Sequence, residues 1–172
     1  MARFKDLKVE KKAEGKIFHP LKKKRTYSKR DIANLRKWAL IEDSVGDSVW
    51  DSVRYSVGNS IEDSVGNSVW YSIRNSVWDS VGNSVWDSVE DSVGTSVGTS
   101  VWDSVYGYIS SFVNLDKWKC IEHEKGVNPY QCCIDLWERS LVPSFDGNIW
   151  RLHSGVKADI VFEITKSALI YN

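Results

Sequence analysis

The sequence predicts a mostly β fold: a tetrapeptide-repeat β-solenoid with a helical N-cap and a small α+β C-terminal cap. Three observations predict it. From Ile41 to Val113 the chain repeats every four residues without insertion, and all 19 sites of one position are Val or Ile. The site before each of them is Ser at all 16 positions from Ser44 to Ser104. The other two positions vary: one is mostly Asp or Asn, the other Gly, Trp, Arg, Glu or Tyr.

Four is a multiple of the strand period of two, so an extended tetrad points every Val the same way. β-Branched residues suit a ladder, and Asp, Asn and Gly suit its corners. Sixteen residues per rung would give about 4.5 rungs, roughly 22 Å tall at ~4.8 Å each. In a straight α-helix the Val stripe would drift ~40° per repeat and circle the helix about twice. Ser, Val, Asp, Asn, Trp and Gly are also poor helix formers, costing about 40 kcal/mol against Ala over the array. Two fixed positions followed by two variable ones is nevertheless a helix-like pattern. A long or hairpinned α-helical repeat is therefore the alternative.

The array is bracketed by unlike ends. Residues 1–27, with KVEKKAEGK and LKKKR, carry few apolar side chains and read as a basic flexible arm. Ser28 is placed as an N-cap with Asp31 as its capping-box partner. Ile32, Leu35, Trp38 and Ala39 then share one side, which predicts an amphipathic helix over 29–41. Its apolar side is expected to close one end of the repeat stack.

After Asn114 the period stops. Asn128-Pro129 breaks the chain, Tyr130–Leu141 is predicted helical, and Pro143 ends that helix. Phe145-Asp146-Gly147-Asn148 is a turn signal, and Ile149–His153 with Ala158–Ile164 predicts a β-hairpin. The domain plan is an arm over 1–27, a capping helix over 28–40, the array over 41–114, and an α+β cap over 115–172.

Formal charge is zero, with 23 Lys/Arg against 23 Asp/Glu among 172 residues. That zero joins unlike parts: residues 1–41 carry +10, 42–114 carry −9 and 115–172 carry −1. No run of ~20 apolar residues exists, so no membrane partner is expected. The N-terminus lacks the apolar run of a secretory signal, and three cysteines make no disulfide scaffold. The expected location is cytoplasmic.

Trp50, Trp70, Trp78, Trp86 and Trp102 occupy the variable fourth position. Pointing outward from an acidic body, they would present a Trp/Gly/Asp surface for self-association or protein binding. The alternative partner is nucleic acid, held through residues 1–30. Lys22, Lys23, Lys24, Arg25, Lys29 and Arg30 would bind its phosphates by counterion release. In a third reading the basic arm docks on the acidic array, its own or a neighbour's. Chemistry is thin. Cys120, His123, Cys132 and Cys133 are zinc candidates, with His153 as a fifth ligand. Neighbouring cysteine side chains diverge, however, and buried structural thiols are the expectation. No phosphate loop, nucleophile elbow or paired-carboxylate motif is present. The expected protein is non-enzymatic, with no catalytic residue and no cofactor.

The xSVx array, followed by YGYISSF and LWERSLVPSFDGNIWRLHSG, resembles an uncharacterised tetrapeptide-repeat family from environmental sequences, over residues 41–165. That resemblance implies a shared architecture and brings no activity or catalytic residue. The array is only loosely similar to pentapeptide-repeat solenoids, from which it departs by one residue per repeat.

Overall fold

The computed structural model describes residues 19–42, 75, 77–93, 97–112, 124 and 126–171. Helix α1 (Lys29–Glu42) starts where its capping box places it. The Ser28 N–H and hydroxyl both donate to Asp31 Oδ2, at 2.7 and 2.6 Å, which satisfies groups that a helix start otherwise orphans. Leu35, Trp38 and Ala39 are buried, as their spacing requires. Of the basic arm read over 1–27, residues 1–18 lie outside the described residues, and the part from His19 onward touches the fold. Pro20–Lys22 form a 3₁₀ turn capped by His19, and Leu21 is buried. The Tyr27 ring lies 4.8 Å from that of Phe162.

The described part of the array is helical, which overturns the mostly β solenoid. About 60% of the described residues are helical, and one small three-stranded sheet lies outside the array. A π turn (Trp78–Gly82), closed by the Asn83 N–H on the Trp78 carbonyl, runs into α2 (Asn83–Val93). Then come α3 (Gly98–Ile109) and a 3₁₀ turn at Ser110–Phe112. Trp78 reaches both Trp102 and Tyr106, whereas the later Trp86 reaches Trp102, so the two helices are antiparallel. Among the described residues the tetrapeptide period does not become a stacked structural repeat either. One unit is π-helical, the next are α-helical, and their surroundings differ.

Two features defeat the drift argument against helix. The helices are short, so a drift of ~40° per unit accumulates over few units. The π turn holds more residues per turn than an α-helix and so rotates the stripe back. Val77, Val81, Val85 and Val89 accordingly stay 2% exposed or less, and Val97, Val101, Val105 and Ile109 stay at 1% or less. Burying each side chain contributes about 1.5–3 kcal/mol, which offsets poor propensity. Ser also has a use in the described helices. The Ser88 hydroxyl donates to the Ser84 carbonyl at 2.7 Å, and that of Ser104 to the Val101 carbonyl at 2.8 Å. This bond back to the preceding turn is a helix device, and strands have no such acceptor in reach.

Helix α3 is central. Along Val101–Ser110 only Trp102 and Tyr106 are even half open. A β-carbon added at Gly107 would stand 3.0 Å from Cys133 Sγ and 3.2 Å from the Trp38 ring, so α1 and α4 (Gln131–Glu138) both press on α3 there. With no solenoid there is no stack end for α1 to close. It lies instead against α4 and α5 (Lys166–Tyr171).

Helix α4 is shorter than expected because the chain leaves it at Ser140, whose φ is +63°. The Ser140 N–H bonds the Trp137 carbonyl at 2.8 Å and the Leu141 N–H bonds that of Leu136 at 2.9 Å. That pair of bonds is a Schellman stop, with Ser where Gly is usual. Three antiparallel strands follow in the order β1 (Val142–Phe145), β2 (Ile149–Ser154), β3 (Asp159–Thr165). The β2–β3 hairpin is the expected one. Strand β1 is not, since Pro143 was read as a helix stop. On an edge strand its missing N–H costs no ladder bond. The Ser100 hydroxyl accepts the Phe145 N–H at 2.6 Å, tying this edge to α3. No helix among the described residues is long and apolar enough to cross a membrane.

Candidate functional site

A cleft of about 680 Å³ opens between two segments far apart in sequence. One wall follows the 3₁₀ turn and carries Lys22, Lys23, Arg25 and Thr26, with His19 at its start. The other is the end of α4, with Glu138, Arg139 and Ser140. Ser154, fully buried at the end of β2, joins the walls. Its hydroxyl accepts the Arg25 N–H at 2.8 Å and donates to the Ser140 carbonyl at 2.8 Å. Lys22, Lys23, Arg25 and Arg139 thus face a single lining carboxylate, Glu138.

The cations of residues 22–30 divide into two groups. Lys24 is held by Asp159 at 2.7 Å and Arg30 by Asp135 at 3.2 Å. Lys22, Lys23, Arg25 and Lys29 have no ion-pair partner among the described residues. Lys29 lies on the first turn of α1, outside the cleft lining. Arg139 pairs through Nε with buried Asp31 at 2.7 Å while its side chain stays 47% exposed, so it is both anchored and open to the cleft. His19 Nδ1 accepts the Leu21 N–H, and its Nε2 lies 2.6 Å from Ser84 Oγ on α2. Burial, and then the neighbouring Lys22, lower its pKa, which favours the neutral ring.

Of the tryptophan set, Trp50 and Trp70 lie outside the described residues. Trp78, Trp86 and Trp102 come together in one seam. Trp78 and Trp102 stack at 3.6 Å, Trp86 lies 6.1 Å from Trp102, and Tyr106 lies 5.7 Å from Trp78. They pack on one another, with Trp78, Trp86 and Tyr106 also against the core, and remain half-buried, beside exposed Asp79, Asp87 and Asp91.

Of the zinc candidates, Cys120 and His123 lie outside the described residues. Cys132 and Cys133 are buried, unbridged thiols on α4. Cys133 points to the Ser104 carbonyl at 3.5 Å, and burial pushes the Cys132 thiol up to about 11. Among the described residues no group of three His, Cys, Asp or Glu is placed to hold a metal ion. His153 is a fully buried core histidine. Its Nδ1 lies 2.9 Å from the Ala158 carbonyl, so Nδ1 carries the proton and Nε2 accepts the Ser144 hydroxyl at 2.7 Å. Burial lowers its pKa to about 4. This Ser–His pair is sealed from any substrate, and its bonds serve the sheet.

The lysine run was visible in the sequence, but Arg139, Ser140 and Ser154 were not singled out for the site. Nothing local marks them, because the cleft unites residues more than one hundred positions apart. No family model matches this chain, and no curated protein or solved structure matches it.

Proposed function

We propose that this chain is a non-enzymatic binding protein whose basic face takes the phosphates of nucleic acid. One observation carries the reading. Lys22, Lys23 and Arg25 line a cleft with Arg139 and have no carboxylate partner among the described residues, while their neighbours Lys24 and Arg30 do. Cations not already paired are the ones that gain by releasing counterions from a phosphate backbone. The unbridged thiols of Cys132 and Cys133 fit a reducing, cytoplasmic setting.

Leu21 is buried and the Arg25 N–H is bonded to Ser154, so charge reversal rather than deletion is the test. Single-stranded DNA binding by the full chain should fall with salt at a log–log slope of about −2 to −3, as for three or four neutralised phosphates. The Lys22→Glu, Lys23→Glu, Arg25→Glu variant should lose that binding while keeping its unfolding transition. Binding unchanged in this variant would sink the reading.

A second reading is favoured by the half-buried Trp78–Trp86–Trp102 seam beside exposed Asp79, Asp87 and Asp91: protein binding or self-association through α2 and α3. Light scattering on intact chain and on Trp86→Ser tests it. A monomer at all concentrations removes self-association.

A further inference from the structure

We propose that the cleft is a seat for a phosphomonoester, and that it recognises the terminal phosphate of a nucleic-acid strand. This rests on the nucleic-acid reading above and sharpens it. A running backbone presents singly charged diesters and is best followed by an open basic surface. This site differs: Lys22, Lys23 and Arg25 come from one wall and Arg139 from the other. Cations lining both walls of one cleft favour a compact, doubly charged group over a single diester charge.

The site is built rather than incidental. Buried Ser154 bonds both walls, through the Arg25 N–H and the Ser140 carbonyl, and so sets the distance between them. Buried Asp31 holds Arg139 by Nε, which limits the positions its guanidinium can take. Ser140 keeps a left-handed backbone at φ +63° without being glycine, directly after Arg139. The two bonds of the Schellman stop enforce it and fix where the chain leaves α4.

Two features oppose an anion here, and neither cancels the four cations. Glu138 contributes one negative charge to the lining. The C-terminal end of α4 is also the negative end of its dipole. Its last carbonyls are engaged, however: those of Asp135, Leu136 and Trp137 accept N–H groups of the closing turn, and that of Ser140 accepts the Ser154 hydroxyl.

Fluorescence anisotropy with one labelled single-stranded oligodeoxynucleotide tests the proposal on the full chain. Three forms are compared, bearing a 5′-phosphate, a 3′-phosphate or only hydroxyl ends. A phosphate at one end should tighten binding about tenfold, the worth of about one charge-assisted bond. The Arg139→Gln variant should lose that preference. Because Arg139 also pairs with buried Asp31, a Lys23→Gln, Arg25→Gln variant is run beside it; these exposed side chains break no ion pair among the described residues. Lys24→Gln and Arg30→Gln should keep the preference. Equal binding of all three oligonucleotides overturns terminal recognition and leaves the nucleic-acid reading standing. Binding of none overturns both, and a preference that survives Arg139→Gln and the double variant moves the site elsewhere.

Discussion

Helices α2 and α3 are written in the same tetrapeptide, yet one is a surface helix and the other is enclosed. On α2, Asn83, Ser84, Asp87 and Asp91 are exposed, and the Val85–Val89 stripe is the buried part. On α3, Ser100, Asp103, Ser104 and Gly107 are buried along with the valines. The period therefore sets one stripe and no more. What the other sides meet is decided by the aperiodic elements, which supply α3 with β1, α4 and Trp38 and leave α2 facing solvent.

The sharpest way to probe that difference is to remove an aromatic from each environment. Trp137 is fully buried and stacks on Tyr108 of α3 at 4.8 Å, whereas Trp86 on α2 is half-buried. Trp137→Ala should cost about 3–5 kcal/mol in urea unfolding and Trp86→Ala less than half as much. Equal losses would erase the distinction. The glycines come next. Gly107→Ala pushes a methyl against Cys133 and Trp38 and should cost about 1–3 kcal/mol. Gly82→Ala meets only the Trp78 ring at 3.2 Å, which is half-buried and has room to move. Its strain is offset by ~1 kcal/mol of helix propensity, so stability should hardly change.

Serine tests the same contrast at smaller scale. Ser100→Ala strands the Phe145 N–H of β1 and should cost about 1–2 kcal/mol. Ser88→Ala, on the outer helix, should stay within about 0.5 kcal/mol. The last contrast is one of pH. Burial pushes the Asp103 carboxyl up to about 6, above its usual 3.8, so folding favours its protonated form. Its contribution is fully present below the unfolded value and is lost as pH rises through 6. His153, lowered to about 4, acts the other way, contributing above 6.5 and losing stability as pH falls toward 4. Asp103→Asn should therefore steepen the loss of stability on acidification between pH 6 and 4. An unchanged pH profile would place Asp103 in an α2-like, solvated setting.

Local signals were legible in the sequence and tertiary ones were not. Ser28 and Asp31 announce α1 because a capping box is complete within four residues. The β2–β3 hairpin is equally local, through its turn residues and β-branched run. The array misled because its period satisfies a strand as readily as a helix, and the π turn that reconciles it with a helix carries no signature of its own. Pro143 marked a stop but not the strand around it, since an edge position depends on which strands lie beside it. The lysine run pointed to one wall of the cleft. Its partner wall depends on Ser154 bonding two segments that only the fold brings together.

The π turn also bears on how such an array changes length. Adding one tetrapeptide to an α-helix turns everything beyond it by ~40°, enough to swing a valine stripe off its neighbours after two or three additions. A wider turn swings it the other way. Pairing the two kinds of turn therefore keeps the valine stripe of the described units on one side for longer than a uniform α-helix would.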